Sequence, residues 1–103
     1  MKVKTKDDIL TAIENNKLSY QNLGVKRIGV FGSFVRDEQK KVSDIDLLVD
    51  FVKGKKTYKN FIKTSDLSER LFGRRVDLLT EKSLSPHIAP HVVKEIEYVQ
   101  IAG

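Results

Sequence analysis

Hydrophobic side chains spaced three and four positions apart predict three helices in this chain. The first covers residues 6–17, and Thr5 and Asp8 are placed to cap its N-terminus. The second covers residues 57–72 and precedes Gly73, a residue suited to a left-handed C-terminal cap. The third follows two prolines and carries four apolar residues, Val92, Val93, Ile96 and Val99.

Alternating polar and apolar positions predict three short strands, over residues 26–31, 44–52 and 75–79. A Gly-Ser dipeptide interrupts the pattern after the first strand and predicts a helical turn over residues 33–37. The resulting order is helix, strand, turn, strand, helix, strand, helix. We therefore expect an α/β (α+β) fold in which a small mixed sheet is flanked by helices.

Asp44 and Asp46 are the most informative side chains of the second strand. Side chains at i and i+2 of a strand project from the same face, so these two carboxylates point the same way. Two like charges this close repel unless a cation lies between them. Mg²⁺ binds proteins through one or two carboxylates together with substrate phosphates. The pair predicts a divalent metal site, and the alternative is that both acids end a loop and face water.

The composition is that of a small globular protein. With 103 residues, the chain is predicted to form a single domain, residues 1–103. The chain has no cysteine, which excludes disulfides and thiolate zinc sites and suits a reducing cytoplasm. The basic start lacks the apolar run of a secretory signal, and no segment reaches the roughly 18 apolar residues of a membrane span. We expect a cytoplasmic protein with no membrane partner.

The formal net charge is +5, and many lysines lie in two runs, Lys40–Lys41 and residues 53–56. A solvated surface is the favoured interpretation, and the alternative is a field that attracts phosphate-bearing ligands. A nucleic-acid platform would interleave aromatic side chains with the basic ones. The helical spacing of Tyr58 and Phe61 instead predicts that they lie in the core, together with Phe72. Nucleic acid is therefore not an expected partner.

Three other features carry less weight. His87 and His91 have the spacing of a metal pair, but Pro90 lies between them and no third ligand is evident. Residues 54–57 match part of a P-loop whose earlier glycine is missing. Asp50 shares the face of the acid pair but lies further along the strand, so we do not assign it to the site.

A longer motif surrounds the acid pair. Gly32-Ser33 is followed by ten residues and then by Asp44-Ile45-Asp46. This signature resembles that of the polymerase beta-like nucleotidyltransferase superfamily. With Arg36 and Val76-Asp77-Leu78, it is similar to the smallest branch, the minimal nucleotidyltransferase (MNT) domain. The tail from Leu84 to Val99 is similar to the closing helix of that branch, so the resemblance covers nearly the whole chain.

The resemblance implies a polymerase beta-like fold and an enzyme that transfers AMP from ATP to an acceptor hydroxyl. It implies that Asp44, Asp46 and Asp77 are the catalytic and metal-binding residues, with two Mg²⁺ ions about 3.5 to 4 Å apart. It also implies that the nucleotide is bound by Gly32, Ser33 and Arg36. The alternatives are purely structural: Asp77 is then a surface acid, and Ser33 is an ordinary helix cap.

The resemblance also implies a partner. MNT proteins pair with helical HEPN toxins and act as antitoxins by adenylylating a tyrosine of the toxin. A second interpretation is a non-catalytic binding module that neutralises or positions a HEPN partner by contact. A third is transfer of the nucleotide to a small molecule or to an RNA end.

Overall fold

A four-stranded sheet forms the centre of the molecule. The computed structural model describes residues 2–102. The strands are β1 (Val25–Phe31), β2 (Ile45–Phe51), β3 (Val76–Leu79) and β4 (Glu97–Gln100). Their order across the sheet is β3-β2-β1-β4. β1 pairs antiparallel with β2 and with β4, whereas β2 and β3 are parallel, so the predicted mixed sheet is confirmed.

Four helices connect or flank the strands. They are α1 (Lys6–Asn15), α2 (Lys17–Asn22), α3 (Tyr58–Phe72) and α4 (Ala89–Glu95). Short 3-10 turns follow β1 at Gly32–Phe34 and β3 at Glu81–Ser83. Among residues 2–102, none of the helices combines the length and apolar character that crossing a bilayer requires.

The predicted helix ends at Thr5 and Gly73 are confirmed. The Thr5 hydroxyl accepts a hydrogen bond from the Asp8 amide, and the Asp8 carboxylate accepts one from the Thr5 amide, each at 3.2 Å. This reciprocal capping satisfies donors that the first turn of α1 leaves free. Gly73 ends α3 with φ of +66°, a conformation that glycine adopts without steric cost.

The main core lies between one face of the sheet and helices α1 to α3. Alternate strand residues such as Ile28, Val30 and Leu47 are fully buried there, together with Ile9 and Phe72. Burying each such side chain contributes roughly 1.5 to 3 kcal/mol relative to leaving it in water. The period-two pattern of β1 and β2 therefore fixes which face of each strand points to these helices.

A smaller apolar cluster covers part of the opposite face. Phe31, Leu48 and Val92 are its buried members, so α4 packs on this side of the sheet. Gly29 of β1 lets the segment after α4 come close, because a β-carbon at position 29 would lie 2.6 Å from Cδ1 of Ile96. The remainder of this face, at the edge of the cluster, stays open.

The predicted closing helix is wrong at its C-terminal end. α4 stops at Glu95, and Val99 lies on β4 rather than on a helix. Ile96 is extended, and the next residues pair antiparallel with β1. Ladder hydrogen bonds to a distant strand outweigh the local helical periodicity, which had suggested a continuous helix.

Two smaller predictions also need correction. The first helix was expected to continue to residue 17, but it breaks at Asn16, whose side chain donates to the Ala12 carbonyl at 2.7 Å, and α2 follows. Tyr58 was expected in the core and is 82% exposed, because it is the first residue of α3 and points outward. Phe72 is fully buried as predicted, and Phe61 is partly buried against the core.

Candidate active site

Asp46 and Asp77 are direct neighbours across the parallel pair β2–β3. The pairing starts where the Ile45 amide donates to the Arg75 carbonyl at 3.0 Å. In-register neighbours on adjacent strands project from the same face, so the two carboxylates lie on the side of the sheet that carries α4. Leu78 points the other way and is buried in the main core. β3 therefore places Asp77 on the side of the sheet that carries Asp46, and Leu78 on the core side.

Gly32 lies against Asp46 at the end of β1. Phe31 pairs with Asp46 in the sheet, and the chain then turns with φ of +80° at Gly32. A β-carbon at position 32 would lie 2.1 Å from Oδ2 of Asp46. The absence of a side chain thus admits the carboxylate to this position, in addition to allowing the left-handed turn.

Arg36 extends its guanidinium beside this turn. Its Nη1 donates to both carboxylate oxygens of Glu95, at 3.0 and 3.2 Å, and its Nε donates to Oε1 of Glu38 at 2.7 Å. The hydrogen bond to Glu38, followed by that to Glu95, raises the pKa of Arg36. Arg36 is half exposed, so its positive charge is held at the rim of the site.

Glu95 is a site residue that the sequence analysis missed. Its Oε2 accepts a hydrogen bond from the Gly32 amide at 2.6 Å, in addition to its ion pair with Arg36. Glu95 is the last residue of α4, where a carboxylate faces the negative end of the helix dipole. An acid at this unfavourable position is the only local signal that could have marked it for a special contact.

The surroundings of Asp46 disfavour its negative charge. Burial first, and then the charges of Asp77 and Asp44, raise the pKa of Asp46 to about 6. Glu95 contributes in the same direction, and Arg36 acts against it. A carboxylate with several acidic neighbours and only one cationic neighbour is stabilised by a proton or by an added cation.

A cavity of about 380 Å³ connects these groups. It lies between the open sheet face and α4, and it continues toward the segment after β3. Its lining includes five of the acidic, basic and glycine residues described above together with apolar and polar side chains: Phe31, Gly32, Arg36, Asp46, Asp77, Leu79, Ser83, Leu84, Ser85, Ile88, His91, Val92 and Glu95. A larger groove of about 880 Å³ between α2 and α3 is lined by side chains such as Lys63 and Asp66, away from the acid pair.

Two predicted site residues, both within the described part of the chain, lie outside the lining of this cavity. Ser33 is half-buried in the turn, and its carbonyl accepts a hydrogen bond from the Glu38 amide. Asp44 is exposed just before β2 and lines a neighbouring depression beside Arg74 and Arg75. Asp44 nevertheless lies close enough to raise the pKa of Asp46.

Arg74 holds the loop that carries Asp44. Its Nη1 donates to the Lys41 carbonyl at 2.9 Å, and its Nε donates to the Val3 carbonyl at 2.8 Å. The guanidinium also lies over the Phe34 ring, 5.2 Å from its centre. These contacts connect the segment before β2 to the end of α3, and they fix where the first acid of the pair emerges.

The carboxylates suit a metal ion that brings further ligands with it. Among residues 2–102, no three His, Asp or Glu side chains are close enough to enclose a metal ion on their own. Asp46 and Asp77 supply two hard oxygen donors on one cavity wall, and Asp44 lies close to Asp46 in sequence, just before β2. This donor set fits Mg²⁺, which is commonly held by one or two carboxylates while phosphate oxygens complete its shell.

Comparison with known proteins identifies the family. The family model described as a nucleotidyltransferase domain matches residues 12–99. The chain belongs to this nucleotidyltransferase family. The protein adenylyltransferase MntA of Thermococcus cleftensis is 45% identical over 93 residues, covering 90% of this chain and 91% of that relative. The family and this relative together show that the chain is a nucleotidyltransferase enzyme.

Solved structures agree with the family. A candidate minimal nucleotidyltransferase is 32% identical, with a TM-score of 0.68, and covers 85% of this chain and 93% of its own. A toxin–antitoxin complex with AMP-PNP contains a chain that is 22% identical, with a TM-score of 0.62, matched over 94% of this chain and 72% of that one. A complex of tri-AMPylated Shewanella oneidensis HEPN toxin with MNT antitoxin matches at 20% identity and a TM-score of 0.52, over 87% and 71% of the two chains. The last two likenesses concern the fold alone.

Proposed function

We propose that this nucleotidyltransferase transfers AMP from Mg-ATP to a tyrosine hydroxyl of a HEPN-type toxin and thereby acts as its antitoxin. The observation that carries the proposal is the side-by-side placement of Asp46 and Asp77 next to the Gly32 turn. The adenylyltransferase name of the relative from Thermococcus cleftensis supports AMP as the transferred group. The AMPylated HEPN toxin in a structural neighbour supports the choice of partner.

The proposed nucleotide-binding residues are Gly32, Ser33 and Arg36. The amide of Gly32 and the guanidinium of Arg36 already converge on one carboxylate, that of Glu95, so the same donors are arranged for an anion. The Ser33 hydroxyl, in the same turn, would donate to a phosphate oxygen further along the triphosphate. Backbone amides in a turn and an arginine fork are the usual ligands of phosphate in proteins.

Asp44, Asp46 and Asp77 are the proposed metal-binding residues, and two Mg²⁺ ions are the proposed number. When bound with the nucleotide, Mg²⁺ would polarise the α-phosphate and neutralise charge on the entering and leaving oxygens. Asp46 would lie centrally because it contacts the Gly32 turn and pairs with Asp77. Burial and the charges of Asp77 and Asp44 raise the pKa of Asp46 to about 6, and a bound cation would offset the same repulsion.

The transfer is an in-line displacement at the α-phosphorus. A bond forms between the acceptor oxygen and phosphorus, and the bond from phosphorus to the bridging oxygen of pyrophosphate breaks. The hydroxyl proton passes to Asp77, which we propose as the base because it is the exposed member of the pair. Arg36 at the rim would stay with the departing pyrophosphate and offset its charge.

The acceptor is proposed to come from another protein because the cavity is small and open. One sheet with helices on both faces accounts for residues 2–102, and we propose that residues 1–103 act as one catalytic domain. Since ATP and its magnesium complex are cytoplasmic substrates, the proposed reaction takes place in the cytoplasm.

The decisive experiment mixes the purified chain with Mg-ATP and the HEPN-type protein encoded or purified with it, and then measures the intact mass of both proteins. We expect the toxin to gain the mass of one or more AMP units on tyrosine. Asp46→Asn should abolish the gain. Asp50→Asn is the matched control, because Asp50 lies on the same strand and face but pairs with Arg27 instead of lining the cavity. If the toxin gains no mass in the presence of Mg-ATP and the folded wild-type chain, the proposal is refuted.

The alternative is a binding module that neutralises a HEPN partner by contact alone. Exposed apolar side chains near the cavity favour contact, since Ile88 is 52% and Val93 is 72% exposed. The two proposals differ in the behaviour of Asp46→Asn. Full neutralisation of the toxin by this variant, without added mass, would support contact; loss of neutralisation together with loss of added mass would support transfer.

A further inference from the structure

The Glu95 carboxylate binds the two donor groups at the Gly32 turn, the Gly32 amide and the Arg36 guanidinium. Oε2 accepts from the Gly32 amide at 2.6 Å, and both oxygens accept from Nη1 of Arg36 at 3.0 and 3.2 Å. A backbone amide and a guanidinium that converge on two oxygens of one anion are the contacts that a phosphate makes with such groups. The Glu95 side chain is only 18% exposed, so this contact is held inside the site rather than at its surface.

The other neighbours of Glu95 disfavour a negative charge at this position. Glu95 lines the same cavity as Asp46 and Asp77, and its charge helps to raise the pKa of Asp46. It also lies at the C-terminus of α4, where the helix dipole disfavours an acid. The favourable contacts of the carboxylate are therefore those to Gly32 and Arg36, and a stronger anion that takes these donors removes what holds Glu95 in place.

We propose that Glu95 is an internal competitor for the triphosphate: its carboxylate fills the anion position formed by the Gly32 amide and Arg36, and a phosphate of the incoming nucleotide displaces it. The inference rests on the proposed function only in taking a triphosphate as the ligand of this turn. In this proposal the Glu95 side chain moves away from the turn while Arg36 stays at the rim and binds the phosphate instead. Glu95 thus lowers the affinity for nucleotide and, by the same competition, for any product that keeps phosphates on these donors.

Binding measurements on the intact chain test the competition without any transfer step. Inorganic tripolyphosphate, and an ATP analogue whose bond between the α- and β-phosphates cannot be broken, are titrated calorimetrically into wild type and Glu95→Gln. Removing the charge of the competitor should tighten binding of both ligands at least about threefold, since charge-assisted hydrogen bonds to Gly32 and Arg36 no longer have to be given up. If Glu95 only supported the structure of the site, Glu95→Gln would instead weaken the binding of both ligands.

Glu38→Gln is the matched control. Glu38 also accepts a hydrogen bond from Arg36, at 2.7 Å, but it does not contact Gly32 and is not part of the cavity lining. We expect its affinity to stay within about twofold of wild type because an exposed ion pair contributes little. An equal gain in both variants would show that freeing Arg36 alone explains the effect and would overturn the assignment to the Gly32 position.

The outcomes separate this inference from the proposed function. Wild type that binds the triphosphates, with Glu95→Gln equal or weaker, overturns the inference and leaves the function standing. Failure of the folded wild type and all variants to bind either ligand overturns both. If Glu95→Gln does not fold, Glu95→Asp serves instead, because its shorter side chain keeps the charge but withdraws from the Gly32 amide. Its binding should also be tighter than that of wild type.

Discussion

Gly32 and Asp46 approach so closely that a β-carbon on residue 32 would lie 2.1 Å from the Asp46 carboxylate. The turn after β1 and the central acid of β2 are therefore one unit. The glycine of this motif is needed because a side chain at position 32 would displace the acid beside it. Changes at position 32 should disturb the cavity wall that carries Asp46 even when no nucleotide is present.

Gly32→Ala should destabilise the protein and abolish transfer. The methyl group would displace the carboxylate, and φ of +80° is strained for any residue with a side chain. We expect a loss of about 2 kcal/mol or more in the free energy of unfolding, measured by urea denaturation.

Gly54→Ala separates the effect of backbone strain from the effect of a clash with the Asp46 carboxylate. Gly54 has φ of +83°, and among the described residues other than Gly54 and its two chain neighbours, no atom lies within 4 Å of a β-carbon built there. It should therefore cost only about 1 kcal/mol from backbone strain. Equal losses at positions 32 and 54 would contradict the close approach of Asp46.

Asp46→Asn should stabilise the metal-free protein at neutral pH. The folded-state pKa of Asp46 is about 6, above the ordinary value of 3.8. The folded state therefore binds this proton more tightly than the unfolded state does. The resulting stabilisation is fully present below pH 3.8 and is lost as the pH rises through about 6. The asparagine cannot ionise, so its advantage over wild type should grow from pH 4 to pH 8, to roughly 1 to 2 kcal/mol.

Urea denaturation in EDTA at several pH values measures this difference. Asp50→Asn, on the same strand but paired with Arg27, is the control for removing a carboxylate from this face of the sheet. An advantage of Asp46→Asn that is constant with pH would contradict the electrostatic cause.

Metal binding should depend on the nucleotide. Among residues 2–102, no three His, Asp or Glu side chains lie close enough to enclose a metal ion, so we expect phosphate oxygens of the nucleotide to contribute to the metal shell. Mg²⁺ alone should bind weakly, and the non-cleavable ATP analogue should tighten its binding at least about tenfold in calorimetric titrations. Asp77→Asn should remove most of this gain, because Asp77 pairs with Asp46 on the cavity wall. Equally tight binding without nucleotide would show a preformed metal site and refute this dependence.

Tyr20→Phe should lower stability without changing the chemistry. The Tyr20 hydroxyl is buried and hydrogen-bonded to Oγ of Ser68 at 2.8 Å, on the core side of the sheet. Because Ser68 also donates to the Thr64 carbonyl, its oxygen keeps one partner after the change. We expect a loss of about 1 kcal/mol in the free energy of unfolding and transfer within about twofold of wild type below the unfolding range. A large loss of transfer with unchanged stability would show that the core side communicates with the site.

Much of the candidate site could be predicted because its residues lie close together in sequence. The turn at Gly32 and the acid pair follow one another within fifteen residues, counting from 32 to 46. The alternation of polar and apolar residues in the second strand predicts the direction of the Asp46 side chain. Asp77 was predicted from the resemblance and from the alternation of its own strand. Its pairing with Asp46 required β2 and β3 to be neighbours in parallel register, which the structure shows.

The sequence by itself determined the elements whose signals are local: the capped α1, the helix before Gly73, and the strands of alternating residues. Periodicity and capping act within a few residues, so they can be read without the fold. Only the tertiary structure decided that residues 97–100 join the sheet as β4 and that Glu95 reaches the Gly32 turn. Both depend on contacts between segments more than sixty residues apart in the chain, and such contacts follow from how whole elements pack rather than from any local pattern.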